Sequence, residues 1–402
     1  MHTPRINIIL AAIYILSTIA VFIAAIISPV FRQFAPAPLR DVLLPPPKPI
    51  VVSVLYSTEK EAWLEETIRD FNNSRPIVDG HPIQIELEKM GSREIYLSVL
   101  DHSRQPVLIS PASSLQIAIL HELSQVEFGY PIVDPAGTDM CRSVFTTPLV
   151  LAAWKERADV LWGNQPPLQL WQKLHDDLLD PRGWEAYNHP EWGYIKFGHT
   201  DPTRSNSGFM TILLMAYNYH NKASGLTSQD ILGDQEFQKW FIETEKTISQ
   251  FEQSTGPLMS RTVTYGPSVY DLVAVYEATA LEHAENAVGR YGELRIYYPP
   301  QTVWSDHPFC LTKGDWVTPE QKKAASLFLD YMLSYESQEK ALLTYGFRPV
   351  DKSIPIDSNA SPFTRYISNG FQANLSSINT VEIPNGQVLN TLLELWIRSI
   401  QR

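Results

Sequence analysis

Three short stretches gather hydroxyl side chains where an apolar run gives way to a helical pattern: Ser57-Thr58, Ser110 with Ser113, and Thr203 through Ser207. Hydroxyls and backbone N–H groups converging from separate strand-to-helix turns suit an oxyanion or a polyhydroxylated solute. Each helix start leaves N–H groups free and carries the positive end of the helix dipole. The same residue types also cap helices when no ligand is involved. The segment 198–208, GHTDPTRSNSG, goes further. It supplies Arg204 as a fixed positive charge and sets Ser205, Asn206 and Ser207 at the start of an apolar helix, where capping and facing a ligand are compatible. Asp201-Pro202 reads as the turn that opens this loop.

Catalysis has no comparable foothold. The chain holds no G-x-S-x-G elbow, no H-E-x-x-H pair, no Walker A loop and no G-x-G-x-x-G. His121-Glu122 starts like a zinc-protease helix but lacks the second histidine. His199 with Asp201, and Asp306 with His307, read more simply as turn and backbone partners than as metal ligands. We expect no catalytic residue, no metal and no cofactor. A net charge of −12 leaves no basic face for nucleic acid, although a local cation can still receive a small anion. Trp154, Trp162, Trp171, Trp184 and Trp192 cluster in the middle third and read as core, with sugar stacking as their other use.

The hydroxyl turns need a scaffold that brings strand ends together. Ile50–Tyr56 is a β-branched run followed by a helix with Leu64, Ile68 and Phe71 on one face, Thr58 placed as N-cap and Glu61 three residues on. The pattern repeats with PIQIEL and a helix over Ser92–Leu100, then PVLIS and a helix from about Ser113. This alternation predicts a largely parallel sheet covered on both faces, with ligands outside the carboxyl ends of its strands. Residues 142–154 read as a long strand with Pro148 at an edge or bend, and 193–199 as another. Gly208–His220 and the stretch from Phe237 to Phe251 read as helices. HPFCLTK reads as a late strand, and TPEQKKAASLFLDYMLS as a capped helix with Ala325, Phe328, Leu329 and Met332 inward. Cys141 and Cys310 each sit beside a strand-like run; buried thiols and a single bridge in an oxidising compartment both fit. A chain of 402 residues is expected to divide into two lobes.

Ahead of this body, Ile8–Ile27 is a run of twenty uncharged residues, interrupted only by Ser17 and Thr18. At about 1.5 Å per residue it reaches about 30 Å, a bilayer core, and it exceeds the roughly 7–15 apolar residues of a cleaved signal peptide. Residues 1–30 are expected to be a short cytoplasmic tail and an uncleaved single-pass anchor in the cell membrane. Arg5 and the amino terminus nearly balance Arg32 and Arg40, and the short tail favours a body outside the cytoplasm. Residues 31–49 carry six prolines and predict an extended spacer.

The loop HTDPTRSNSGF followed by MTILLMAY resembles the hinge-proximal loop of bacterial extracellular solute-binding proteins. VLYSTEKEAWLEETIRDFN resembles the first strand and helix of that family, which usually reads Tyr-Ser-x-x-Lys. YPPQTVWSDHPFCLTKGDWVTPEQKKAASLFLDYMLSYESQEKALLTYGFRP resembles its return segment. The resemblance spans residues 50–355. It implies an α/β chain with a two-lobed periplasmic-binding-protein type II fold, here on an N-terminal transmembrane helix, closing over a solute by a hinge motion. The first lobe is then expected over 50–140 plus 312–402 and the second over 141–311. Family ligand positions fall on Ser57, Thr58, Ser110, Thr146 and Thr203, Arg204, Ser205, Asn206 and Ser207. Another falls at Tyr270, in a helix starting near Ser268; relatives carry an acidic residue there, and this chain has Asp271 next. The most similar variety is the membrane-attached proteins in which such a module precedes a von Willebrand factor A domain. The implied partners are a small-molecule solute, the membrane, and either an ABC permease or a von Willebrand factor A protein, with no nucleic acid. Uptake is the first reading and ligand sensing or assembly the second. Phosphate, tungstate, a sugar acid and an organic acid all fit Arg204.

Overall fold

A computed structural model describes residues 4–28, 47–134, 141–284, 287 and 289–401. Most of the expected proline-rich spacer, up to residue 46, lies outside the described residues. The first helix, α1 (Pro4–Ile27), has described side chains from Leu10 to Ala24, all of them exposed. Among the described residues no helix is long and apolar enough to cross a membrane.

The body begins with β1 (Ile50–Tyr56), α2 (Glu61–Asn73), β2 (Ile77–Val78), β3 (His81–Lys89), α3 (Ser92–Leu100), β4 (Leu108–Ser110) and α4 (Ser114–Glu127). β5 (Cys141–Ser143) and β6 (Phe145–Trp154) lead out to α5 (Lys155–Leu161), α6 (Leu170–Leu179), β7 (Phe197–Gly198), α7 (Asn206–Tyr219), α8 (Ser228–Leu232) and α9 (Gln235–Lys246). α10 (Thr255–Tyr265), β8 (Leu272–Tyr276), α11 (Glu277–Ala284), β9 (Leu294–Tyr297), β10 (Gln301–Thr302) and β11 (Trp304–Ser305) complete this second part. The chain returns through β12 (Pro308–Leu311), α12 (Pro319–Met332) and α13 (Tyr335–Tyr345). It ends with β13 (Arg348–Pro349), α14 (Pro362–Arg365), β14 (Asn379–Thr380) and α15 (Gly386–Ile400).

Two six-stranded sheets result. The first runs β2-β3-β1-β4-β12-β5, with β1 parallel to both β3 and β4 and β12 antiparallel to β4 and β5. The parallel core follows from the strand–helix alternation, since a crossover helix returns the chain in the same direction. The second runs β11-β6-β8-β7, with β9 and β13 also on β6. Here β7 is parallel to β8, while β8 and β9 are antiparallel to β6. Only Val144 separates β5 from β6, and only Asp306 and His307 separate β11 from β12, so two short segments carry the chain between sheets. A longer third crossing runs from β12 through α12 and α13 to β13 on β6. Cys141 lies opposite Cys310 in the β5–β12 pairing and the two form a disulfide, which settles the alternatives left open by their spacing.

Helix α2 buries Trp63, Leu64, Thr67, Ile68 and Phe71, the stripe its three-and-four spacing predicts. Its start differs from expectation: a 3-10 turn over Thr58–Lys60 intervenes and Thr58 caps nothing. The turn is tight enough to bring Lys60 back over the end of β1, where its amine takes the Ser57 hydroxyl that a cap would use. α12 starts as predicted: Thr318 Oγ1 accepts from Gln321 N at 3.2 Å, the Thr318 N–H donates to Gln321 Oε1 at 2.9 Å, and Pro319 follows. The helix expected near Ser268 is absent, because a 3-10 turn over Gly266–Ser268 feeds directly into strand β8. Of the strand expected over 193–199, only Phe197–Gly198 pairs.

The segment after Pro349, expected in the first lobe, distributes differently. Ile354, Phe363 and Phe371 pack with Val150, Val273 and Val275 of the second sheet. α15 packs on α4 of the first part and on α8, α9 and α7 of the second. Leu389, Leu392, Leu393 and Trp396 on its buried face join one continuous core with Leu115 and Leu120 of α4 and Phe209 and Leu213 of α7. An apolar stripe shows that a helix has a buried face but not which neighbour covers it, so this bridge has no signature in the sequence.

Candidate functional site

Four segments, two from each part, converge between the sheets. The first part contributes the turn after β1 (Ser57, Thr58, Glu59) and the start of α3 (Gly91 to Glu94). The second contributes the loop before α7 (Thr203, Arg204, Ser205) and the start of α10 (Gln253, Ser254). Together with Leu97 they line a cavity of about 420 Å³. A larger cavity of about 1150 Å³ shares Thr58, Glu59 and Ser254 with it and opens past Glu61, Trp63, Glu282 and Tyr345. The two parts touch closely here: a Cβ on Gly91 would sit 3.1 Å from the Arg204 carbonyl oxygen. Gly208 is equally constrained, because a Cβ there would fall 2.0 Å from the Thr200 carbonyl oxygen, so the loop can fold back on α7 only with glycine at that position.

The loop is fixed by its own polar groups. Asp201 Oδ1 accepts from the Thr203 N–H at 2.8 Å and from Thr203 Oγ1 at 2.6 Å. Ser207 Oγ lies 2.8 Å from both Thr200 Oγ1 and Thr255 Oγ1 and 3.2 Å from Ser205 Oγ, which ties the loop to α10. Ser205 is the N-cap residue of α7 without a side-chain cap bond. His199 is fully buried; its Nδ1 donates to Thr200 O at 2.7 Å and its Nε2 faces Glu245 at 3.0 Å. Burial disfavours its charged form, but the Glu245 carboxylate outweighs this and holds the imidazole above its ordinary value. Trp396 of α15 donates to the same carboxylate. His199 is thus held by the loop and the carboxyl-terminal helix.

Beneath the cavities lies a buried polar floor. Lys60, with no exposed surface, donates to Ser57 Oγ at 2.7 Å, Ser110 O at 2.9 Å and Pro111 O at 3.2 Å. Burial pushes its amine down to about 7 against the opposing pull of Glu59 and Asp306. Asn206 Oδ1 accepts from Ser113 Oγ and Gln116 Nε2, each at 3.0 Å, and Asn206 Nδ2 donates to the Tyr276 oxygen at 3.0 Å. One amide therefore joins α4 to β8 across the two parts. Asp306 accepts from the Ser114 N–H at 2.7 Å and from Ser143 Oγ at 3.1 Å, so it caps α4 and links both connecting segments. His307 takes a left-handed backbone (φ 41°) and its N–H donates to Ala112 O at 3.0 Å. Burial, reinforced by Lys60, holds its imidazole well below the ordinary value. Asp306 and His307 hold the connection between β11 and β12, and among the described residues no cluster of three or more His, Cys, Asp or Glu side chains could hold a metal ion.

Of the residues singled out in the sequence, Ser57, Thr58, Thr203, Arg204 and Ser205 line the smaller cavity, Arg204 with an exposed side chain. Ser110, Asn206 and Ser207 are buried in the floor or the hydroxyl ladder and line neither cavity. Thr146 sits in β6 opposite Arg348, away from both cavities. Tyr270 is a core side chain, 2 % exposed, packed over Gly198 with its hydroxyl donating to Gln250 O at 3.4 Å. The expected helix that would have turned it toward a ligand is a strand approach instead. Glu59, Arg93, Gln253 and Ser254 have no part in the sequence reading, and Lys60 enters it only as the last position of the Tyr-Ser-x-x-Lys start. Ser254-Thr255-Gly256-Pro257 carries a helix-start pattern that marks Ser254.

The sequence profile of the bacterial extracellular solute-binding protein family matches residues 52–348, most of the body. The chain belongs to that family. Its members are binding proteins, not enzymes, and the body of this solute-binding protein is extracytoplasmic. A search of curated protein sequences finds no match. Among solved structures, the chain is similar to the periplasmic binding protein AfuA from Actinobacillus pleuropneumoniae, with fructose-6-phosphate bound. The TM-score is 0.58 at 16% identity, covering 87% of this chain and 99% of that one. It is also similar to iron-bound HitA from Pseudomonas aeruginosa (TM-score 0.57, 16% identity, 88% and 100% covered). The sulfate-binding protein SubI from Mycobacterium tuberculosis gives 0.51 at 16% identity, with 82% and 94% covered. These likenesses establish a two-lobed periplasmic-binding-protein fold for the solute-binding protein. Its cavities lie between the lobes.

Proposed function

We propose that this chain is a membrane-tethered receptor that captures a small polar or anionic solute between its lobes and hands it to an ABC-type permease. The observation that carries the reading is the 420 Å³ cavity to which both lobes contribute donors: Ser57 and Thr58 from one, Thr203, Arg204 and Ser205 from the other. A solute held by both sets of groups favours the closed arrangement, since ligand binding shifts the equilibrium by its differential affinity for the two states. Ser110, Asn206 and Ser207 act one layer below, holding the strand end and the loop in register. Fructose-6-phosphate in AfuA and sulfate in SubI are both anions, which supports an anion at Arg204.

The tether is α1. The reading rests on the sequence run Ile8–Ile27, twenty residues without a charge, and on the exposed, uncharged side chains described on α1 from Leu10 to Ala24. A disulfide between Cys141 and Cys310 suits an oxidising compartment outside the cytoplasm. A second reading, a ligand sensor signalling to a partner such as a von Willebrand factor A protein, draws support from α15. Its core joins both lobes and restrains their separation more than two connecting strands would.

The test is a thermal-shift screen of the full chain against oxyanions, sugar phosphates, sugar acids and organic acids. A solute at 100 times its dissociation constant should add about 2.7 kcal/mol. Arg204→Ala is expected to remove the shift given by anions. An unchanged shift in that variant would rule out an anion clamp, and a melt that no solute moves would contradict the receptor reading.

A further inference from the structure

The two cavities differ in charge, and they share one carboxylate that the anion reading does not use. Glu59 lines both cavities. One of its carboxylate oxygens, Oε2, is shielded from solvent and has no hydrogen-bond partner. Lys60, next in the chain, does not supply one, because its amine donates to Ser57, Ser110 and Pro111. A shielded carboxylate oxygen without a donor is costly, and sites that keep one commonly complete it with a ligand.

The wider cavity reinforces this. Four carboxylates (Glu59, Glu61, Glu65, Glu282) face two cations, Lys89 and Arg365, and Lys89 is already paired to Glu61 at 2.7 Å. His283 is occupied at both ring nitrogens: its Nδ1 meets Thr279 O at 3.0 Å and its Nε2 meets Ser260 Oγ at 3.0 Å. A second, independent feature lies in the same wall. Trp63 is fully buried, lines the cavity, and its indole N–H has no partner. The site therefore offers one carboxylate that lacks a donor and one N–H that lacks an acceptor. A metal ion does not answer both, and no cluster of three or more metal-ligating side chains is present among the described residues. An organic solute bearing a positive nitrogen and an acceptor oxygen does.

We infer that the solute carries a protonated amine, received by Glu59 where the two cavities meet, together with an acidic or hydroxyl oxygen. This rests on the interlobe receptor reading and narrows it from anions in general to amine-bearing, zwitterionic solutes. The carboxylate selects for the amine through a charge-assisted hydrogen bond in a partly desolvated setting. Arg204, contributed to the smaller cavity by the second lobe, receives the opposite charge.

The test compares matched probes on the full chain by isothermal titration calorimetry: 2-aminoethyl phosphate against 2-hydroxyethyl phosphate, and 3-aminopropanoate against 3-hydroxypropanoate. Within each pair the amine is expected to bind on the order of tenfold more tightly or better. Glu59→Gln, confirmed folded by its melting curve, is expected to bring the two members of each pair to equal affinity. Equal affinities in the unaltered chain, or a preference that survives Glu59→Gln, would overturn the amine assignment while leaving the receptor reading in place. So would failure of all four probes if amine-free solutes bind in the thermal screen. If no solute of any class binds, the receptor reading falls with it.

Discussion

Removing the Cys141–Cys310 bridge is expected to lower the unfolding free energy by about 5 kcal/mol, the chain-entropy value for so long a closed loop. The two cysteines are 169 residues apart, so the bridge restricts a large part of the unfolded chain while joining strands that already pair in the fold. Cys310 is fully buried in the core and Cys141 is half-buried beside it, so paired alanines substitute with little polar penalty. The bridge also lies beside two of the segments that connect the lobes, three residues from Val144 and three from His307. Its loss should therefore loosen the hinge as well as the fold. Urea denaturation of the Cys141→Ala, Cys310→Ala chain beside the unaltered one, with and without reductant, measures this. The unaltered chain should lose stability on reduction and the double variant should not respond. Equal midpoints for all of these samples would show that the bridge does not contribute.

Lys60→Met is expected to change how stability varies with pH. The amine is lowered in the fold, from its ordinary 10.5 to about 7, so between those values the unfolded chain binds more protons than the folded one. Stability contributed by this group is fully present above about 10.5, declines as pH falls across the window, and is flat below about 7. The full decline is at most about 5 kcal/mol, and the three hydrogen bonds to the ammonium hold it below that ceiling. Methionine keeps the buried volume and abolishes the titration. Denaturation midpoints taken from pH 7 to pH 10 should rise for the unaltered chain relative to the variant. Parallel curves would mean that Lys60 stays charged in the fold with its burial fully compensated. Ser57 loses its lysine donor in the same variant, so solute affinity is expected to fall along with the pH response.

The candidate site was legible where a motif lies within one stretch of chain. GHTDPTRSNSG announced a loop with a cation and an apolar helix behind it, and Thr203, Arg204 and Ser205 do line the cavity. The alternation of strands and helices from Ile50 to Leu123 carried the first sheet directly. Residues whose environment depends on distant segments were not legible. Glu59 and Lys60 read as the polar start of an amphipathic helix; only the 3-10 turn after Ser57 sends the lysine inward and leaves the carboxylate between the lobes. Tyr270 stood beside a helix-like pattern, yet the close approach of Gly198 admits its ring to the core. Ser110 and Asn206 were recognised as polar residues at strand and helix ends, but the covering by Lys60, Gln116 and Tyr276 that removes them from the cavity is a tertiary effect. α15 was readable as a helix, and its bridging of the lobes was not, because both candidate partners present apolar faces.

Hydrogen exchange of the full chain, with and without a solute selected in the thermal screen, bears most directly on whether the two lobes share one solute. Exchange is expected to slow together in four segments: 57–61 and 91–97 from the first lobe, 203–209 and 253–258 from the second. Protection confined to one lobe's segments, or placed away from all four, would contradict capture of the solute between the lobes.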